Sequence, residues 1–318
     1  MKKLALLLGA LSLVSSVAYA KEVVPAVEEV VVVEEVKAVE APTLRVTSFG
    51  QGLEFDNTSG NKADIAEGMH FSNSVGLAYG DDWTFGLMAR KTWKVDTDDH
   101  INSTGGFRID MDAWRKFDNY SLGARWRQEK DKDRFYLRGK YAYGMFSGNM
   151  DVAYQSNNTE STAASTAAND GWYFEGTPVA VTVGPVTAGY YVKSENIVAV
   201  GDNHGVDYWF RHQLRLSMPI YSGEKLNVGV QYGWEFANNL ELADNNTYSY
   251  KHDADSHILW LNASYKVTEN LTIDGYYEYD MFKWELEGDK NGKGVGDQTD
   301  KDSNKYYGEF YIGWTYTF

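Results

Sequence analysis

The chain ends in Phe310-Tyr311-Ile312-Gly313-Trp314-Thr315-Tyr316-Thr317-Phe318, with a large apolar side chain at every second position. This is the period of a β-strand, whose successive side chains point to opposite faces. Phe310, Ile312, Trp314, Tyr316 and Phe318 share one face, with small and polar residues filling most of the other. A half-buried strand of a soluble sheet shows the same alternation. The composition of the apolar face separates the two cases. A soluble sandwich favours Val, Ile and Leu, whereas membrane barrels carry aromatic girdles at both interfaces. Here Trp and Tyr recur on the apolar face of strand after strand, 23 Tyr and 10 Trp in all. The fold class is all-β, a transmembrane antiparallel β-barrel.

Working back from this segment, similar stretches lie near 43–55, 68–80, 83–95, 106–117, 120–129, 134–146, 149–156, 171–183, 186–194, 206–218, 225–236, 256–267, 271–286 and 305–318. The strand number is about fourteen, with twelve or sixteen as the alternatives. The connections alternate in kind. Short ones fall at Gly80-Asp81-Asp82, Asp118-Asn119, Ser147-Gly148-Asn149, Gly184-Pro185, Pro219 to Glu224, and Thr268-Glu269-Asn270. Between them lie longer polar segments: Asp56 to Glu67, Asp96 to Gly105, Asn157 to Asp170, Glu195 to Gly205, Ala237 to Asp255 and Glu287 to Asn304. The brief Lys130-Asp131-Lys132-Asp133 is the exception. Short periplasmic turns and long extracellular loops make up the outer-membrane pattern, and an even strand count leaves both termini on the short-turn side.

Charge fixes the facing of each strand, because Arg or Lys facing lipid near the midplane costs about 2–4 kcal/mol. The inward basic set is therefore Arg108, Lys116, Arg125, Arg127, Arg138, Lys140, Arg211 and Arg215. The inward acidic set is Asp110, Asp112, Asp207, Asp274, Glu278 and Asp280. Basic residues on strands 4 to 6 and acids on strand 13, close to opposite on a fourteen-strand cylinder, predict a transverse field across the lumen. Local pairing of those bases with Asp110 and Asp112 is the alternative.

The first twenty residues do not belong to the barrel. Lys2 and Lys3, an apolar run from Leu4 to Val17, and small residues at Ala18 and Ala20 make a cleavable secretory signal. The run is too short to span the hydrocarbon, which takes about 20 residues. Residues 21–42, rich in Val and Glu between Pro25 and Pro42, read as a solvated periplasmic linker, and their local structure is left open. The domain plan is signal 1–20, linker 21–42 and barrel 43–318.

The formal charge of -15 becomes -17 once Lys2 and Lys3 are removed with the signal, and it argues against nucleic acid as a partner. With no cysteine, disulfides, thiolate metal sites and Cys nucleophiles are excluded. Mean hydropathy of -0.47 does not contradict a membrane location, since lipid-facing and lumen-facing residues cancel.

The closing Tyr307 to Phe318, the strand count and the single-domain length resemble the monomeric porins typified by outer membrane protein G. The signal followed by a Val/Glu lead with Pro is similar to the major outer-membrane porins of fusobacteria. The resemblance implies passive diffusion of small hydrophilic solutes and ions. It also implies an assembly signal at Phe310, Ile312, Trp314, Tyr316 and Phe318, read by a barrel-assembly machinery. The implied surroundings are outer-membrane lipids and lipopolysaccharide, with a monomer favoured over a trimer. The gating His pair of the first group has no match here.

Other motifs yield plain readings. Asp289 to Asp300 half resembles a calcium loop, but Lys293 occupies a ligand position, Asp300 replaces the bidentate Glu, and no helices flank it. His252 and His257 fall in a polar loop, and His70, His100, His204 and His212 show no pairing that sequence establishes. The sequon Asn102-Ser103-Thr104 carries little meaning in a bacterial-type chain. No cofactor or metal is expected. A barrel enzyme of phospholipase or protease type, and an adhesin acting through the long loops, are the competing functions, although no Ser–His or Asp–His spacing stands out.

Overall fold

The computed structural model describes residues 42–59, 63–96, 100–102, 106–130, 132–157, 170–199, 206–242, 249–252, 256–287, 289–290, 293–294 and 304–318. Ala18, Ala20 and residues 21–41 lie outside the described residues, as do Ser103 and Thr104 of the sequon, residues 97–99 and most of the calcium-like loop.

Fourteen long antiparallel strands carry the fold. They are β1 (Leu44–Ser59), β2 (Ala63–Tyr79), β3 (Trp83–Asp96), β4 (Phe107–Lys116), β5 (Tyr120–Glu129), β6 (Lys132–Tyr143) and β7 (Phe146–Asn157). The second half holds β8 (Asp170–Val183), β9 (Val186–Ala199), β10 (Val206–Ser222), β11 (Leu226–Leu242), β12 (Ser256–Lys266), β13 (Leu271–Glu287) and β14 (Asn304–Thr317). Each strand pairs with its sequence neighbours, and β14 pairs with both β13 and β1, so the sheet closes on itself. Closure satisfies the ladder hydrogen bonds that an open edge would leave bare in lipid. Short strands at His100–Asn102 and Ser249–His252 add to the β3 and β11 ladders. No helix occurs among the described residues.

The alternation sorts the side chains. Leu87, Met111, Leu122, Leu137, Leu214, Leu216, Leu259, Leu261, Ile273 and Ile312 are exposed around the outside of the wall. This continuous apolar exterior is what a lipid-facing band requires. Tyr79, Tyr120, Tyr141, Tyr143, Tyr265, Tyr316 and Phe318 are exposed near the short-turn end, forming one aromatic girdle. The closing segment lies against β1, with Trp314 and Phe49 rings 5.6 Å apart and the Phe318 N–H donating to the Thr47 carbonyl at 3.0 Å.

Two turns differ from the sequence reading. The β6–β7 turn is at Gly144–Met145, and Ser147-Gly148-Asn149 is already strand. Gly144 takes φ +58, as Gly80 (+59) and Gly184 (+57) do in their turns, a conformation that side-chain-bearing residues resist. Likewise β10 runs through Pro219, which faces Gly229, and the turn comes only at Gly223; a register shift between Pro219 and Tyr221 absorbs the missing donor. Several polar segments read as loops are strand as well: β1 reaches Ser59, β2 resumes at Ala63, β9 reaches Ala199 and β11 reaches Leu242. These ends lack the apolar/polar alternation that marked the strands in the sequence.

Candidate functional site

The inward faces of the strands carry a belt of ion pairs. It begins with register: on the β4–β5 ladder Asp110 lies opposite Arg127 and Asp112 opposite Arg125. Asp110 is buried and accepts from Arg108 Nη2 at 2.6 Å and Arg127 Nε at 2.9 Å, with Arg125 Nη1 at 3.8 Å. Asp112 accepts from Arg125 Nε at 2.9 Å and from Arg138 Nη1 at 2.5 Å, while Arg138 Nε donates to Asp151 at 3.0 Å. The positive face expected on β4–β6 is therefore interleaved with carboxylates. This geometry follows the local-pairing alternative: Asp110 reaches Arg108 on its own strand and Arg127 across the ladder, and Asp112 reaches Arg125 and Arg138.

The belt continues through β6–β9. Arg134 donates to Gln155 at 2.7 Å and Glu195 at 3.2 Å and lies 4.4 Å over the Tyr173 ring. Glu175 accepts from the Tyr191 hydroxyl at 2.7 Å and from that of Tyr173. On β10–β11 the buried Glu235 accepts from Arg211 at 2.6 Å and Gln213 at 2.7 Å. Arg215 lies 3.5 Å over the Tyr191 ring and 4.9 Å from that of Trp260, whose Nε1 donates to Glu278 at 2.6 Å. Asp280 faces Arg211 at 3.8 Å.

Acids dominate one arc. Adjacent strands β13, β14 and β1 carry Asp274, Glu278, Asp280, Glu309, Glu54 and Asp56, with Tyr276 donating to Glu309. Here Glu54 Oε1 accepts from Arg90 at 3.2 Å and His70 Nε2 lies 3.1 Å from Asp56. Asp274 also borders a cavity of about 530 Å³ near the short-turn end, together with Asn227, Gln231, Asn262, Ser264 and Tyr276.

Of the remaining expected residues, Lys140 lies 4.7 Å over the Trp114 ring and Lys116 is exposed at the short-turn end of β4. Asp207 lies in β10, with its side chain outside the described residues. The sequence reading missed Arg90, Arg134, Asp151, Glu175, Lys193 and Glu235, although each stands an even number of places from an inward residue on its strand or pairs across a ladder with one. It also missed Trp114, Tyr173, Tyr191 and Trp260 among the inward aromatics. Trp114 lies over Gly123, where an added Cβ would come within 2.6 Å of the ring, and Trp260 lies over Gly233 at 3.0 Å. The Tyr311 ring covers Gly52 at 2.6 Å and reaches across Gly313.

No protein-family model matches the sequence, and no curated protein matches it. Solved structures with a similar chain trace exist. OmpT of Vibrio cholerae, outer-membrane expressed, is 12% identical at a TM-score of 0.43, covering 88% of this chain and 99% of that one. A doubly substituted OccD1 (OprD) is 11% identical at 0.44, covering 88% and 96%. An anion-selective porin from Comamonas acidovorans is 10% identical at 0.41, covering 87% and 100%.

Proposed function

We propose that the chain is a porin of the bacterial outer membrane, a water-filled channel for passive diffusion of small hydrophilic solutes and ions with a weak cation preference. The inward belt of ionised side chains carries this reading, since such a belt suits a wet lumen better than a dry core. Strand number supports it: eight-stranded barrels fill their interior with side chains, whereas sixteen to eighteen strands leave an aqueous channel. The cation preference rests on the mature charge of -17 and on the acids of β13, β14 and β1.

In this reading the signal is removed after Ala20, residues 21–42 link outside the membrane, and the short-turn end faces the periplasm. The barrel-assembly machinery reads the closing aromatic segment, and the folded monomer sits among outer-membrane lipids and lipopolysaccharide. Planar-bilayer recording of the purified barrel tests it. Stepwise currents should appear, with a reversal potential that favours cations at low salt. The preference should fade as the Debye length falls from about 30 Å at 0.01 M to about 3 Å at 1 M. Absence of both current steps and liposome swelling by small sugars overturns the porin reading and turns attention to the enzyme and adhesin alternatives.

A further inference from the structure

We propose that Glu54, Asp56 and His70 form a binding site for a divalent transition-metal ion of the zinc type, set in the inner wall where β1 meets β2. The ladder register puts Glu54 directly opposite His70. His70 Nε2 lies 3.1 Å from Asp56 Oδ2 and 3.8 Å from Glu54 Oε1, and donor atoms of all three residues fall within 4.8 Å of one another. Ligand atoms around a tetrahedral zinc, at bond lengths of about 2.0–2.2 Å, stand about 3.3–3.6 Å apart. The two observed separations bracket that spacing.

Three features outside the triad aim it. A register shift falls between Asp56 and Asn57, and such bulges redirect the side chain beside them. Gly68 supplies a hollow: an added Cβ would lie 2.6 Å from Asp56 Oδ2, so the carboxylate occupies the space a side chain would take. Thr92 Oγ1 holds His70 Nδ1 at 2.8 Å, fixing the ring with Nε2 towards the carboxylates, as outer partners do for metal-binding histidines. The side chains of Glu54, Asp56 and His70 remain 23%, 27% and 12% exposed, so a hydrated ion in the lumen reaches them. One imidazole with two carboxylates suits zinc and its neighbours better than calcium or magnesium, which prefer oxygen alone. Arg90, 3.2 Å from Glu54 Oε1, competes with a metal for that carboxylate. Without a metal, the same geometry is an imidazole–carboxylate hydrogen bond.

Isothermal titration of zinc chloride into the full, untagged chain folded in detergent distinguishes the two. Binding is read directly, so the outcome is independent of whether the barrel conducts. One saturable event is expected. His70→Ala and Asp56→Asn should each weaken it by about tenfold or more, and Gly68→Ala should weaken it by expelling the Asp56 carboxylate. Arg90→Gln should strengthen it. Heat-modifiable migration checks that each variant is folded, and Asp56→Asn, which keeps the side-chain shape, stands if Gly68→Ala does not fold. No saturable event in the unaltered chain, or unchanged binding in folded His70→Ala, overturns the site.

Discussion

Arg138 on β6 reaches across the whole of β5 to Asp112 on β4, with Nη1 2.5 Å from Oδ1. Its Nε turns the other way, to Asp151 on β7 at 3.0 Å. One guanidinium thus ties β4, β6 and β7 together through side chains, spanning four consecutive strands in addition to their backbone ladders. The belt is a structural brace as well as a charged surface, and substitutions in it have two readouts.

Asp110→Asn tests the brace. It removes the buried negative charge shared by Arg108 and Arg127, turns one accepting oxygen into an NH2 donor and leaves their charges facing Arg125. Breaking a buried pair on one side costs about 3–5 kcal/mol. The variant should unfold at lower denaturant than the unaltered barrel, as followed by heat-modifiable migration, and an unchanged midpoint would show that Asp110 contributes no such brace.

Selectivity should respond with opposite signs on the two sides of the lumen. Replacing Arg125, Arg127 and Arg138 with Ser uncovers Asp110, Asp112 and Asp151 and should strengthen cation preference. Replacing Asp274, Glu278 and Asp280 with Asn, Gln and Asn should weaken or reverse it, because charged walls set pore selectivity. Reversal potentials in a salt gradient give the measurement. If neither triple variant shifts them, these side chains do not line the ion path.

The alternation from Phe310 to Phe318 was legible because lipid on one side and water on the other demand opposite chemistry at successive positions. Fourteen strands followed from repeating that test. Trp114, Tyr173 and Tyr191 escape it, because an aromatic residue looks the same whether it lies in a girdle or under an arginine. The Gly144 turn was displaced by three residues, since Gly148 looked equally suited and only the backbone conformation separates them. Glu54, Asp56 and His70 were invisible as a group because their proximity depends on the β1–β2 register and on a one-residue bulge, neither of which is written in composition or period.

Phe318 should govern assembly yield. Its N–H caps the last bond to β1, and its ring meets Tyr316 edge-on with centroids 5.1 Å apart. An aromatic terminus also suits the membrane interface. Deleting Phe318 should lower the amount of heat-modifiable barrel recovered from outer membranes, and normal yield would remove this residue from the assembly signal.

Residues 21–42 should be dispensable for conduction, because the closed wall satisfies its own backbone from Leu44 onward. A chain lacking them is expected to conduct like the full one. A marked rise in single-channel conductance would instead identify the segment as a plug.

The glycines beneath Trp114, Trp260 and Tyr311 bear on calibre. Each ring lies flat in a hollow of the wall where a side chain is missing, so its bulk is withdrawn from the axis. The bore is then governed by two independent variables: how many strands make the circumference, and how many hollows accept a ring. A single methyl group at Gly123 would press on the Trp114 ring at 2.6 Å and on the Ala113 carbonyl at 2.9 Å, pushing the ring towards the axis. In the proposed porin, the size of what is admitted can therefore change by point substitution, with the strand number and the outer surface left as they are.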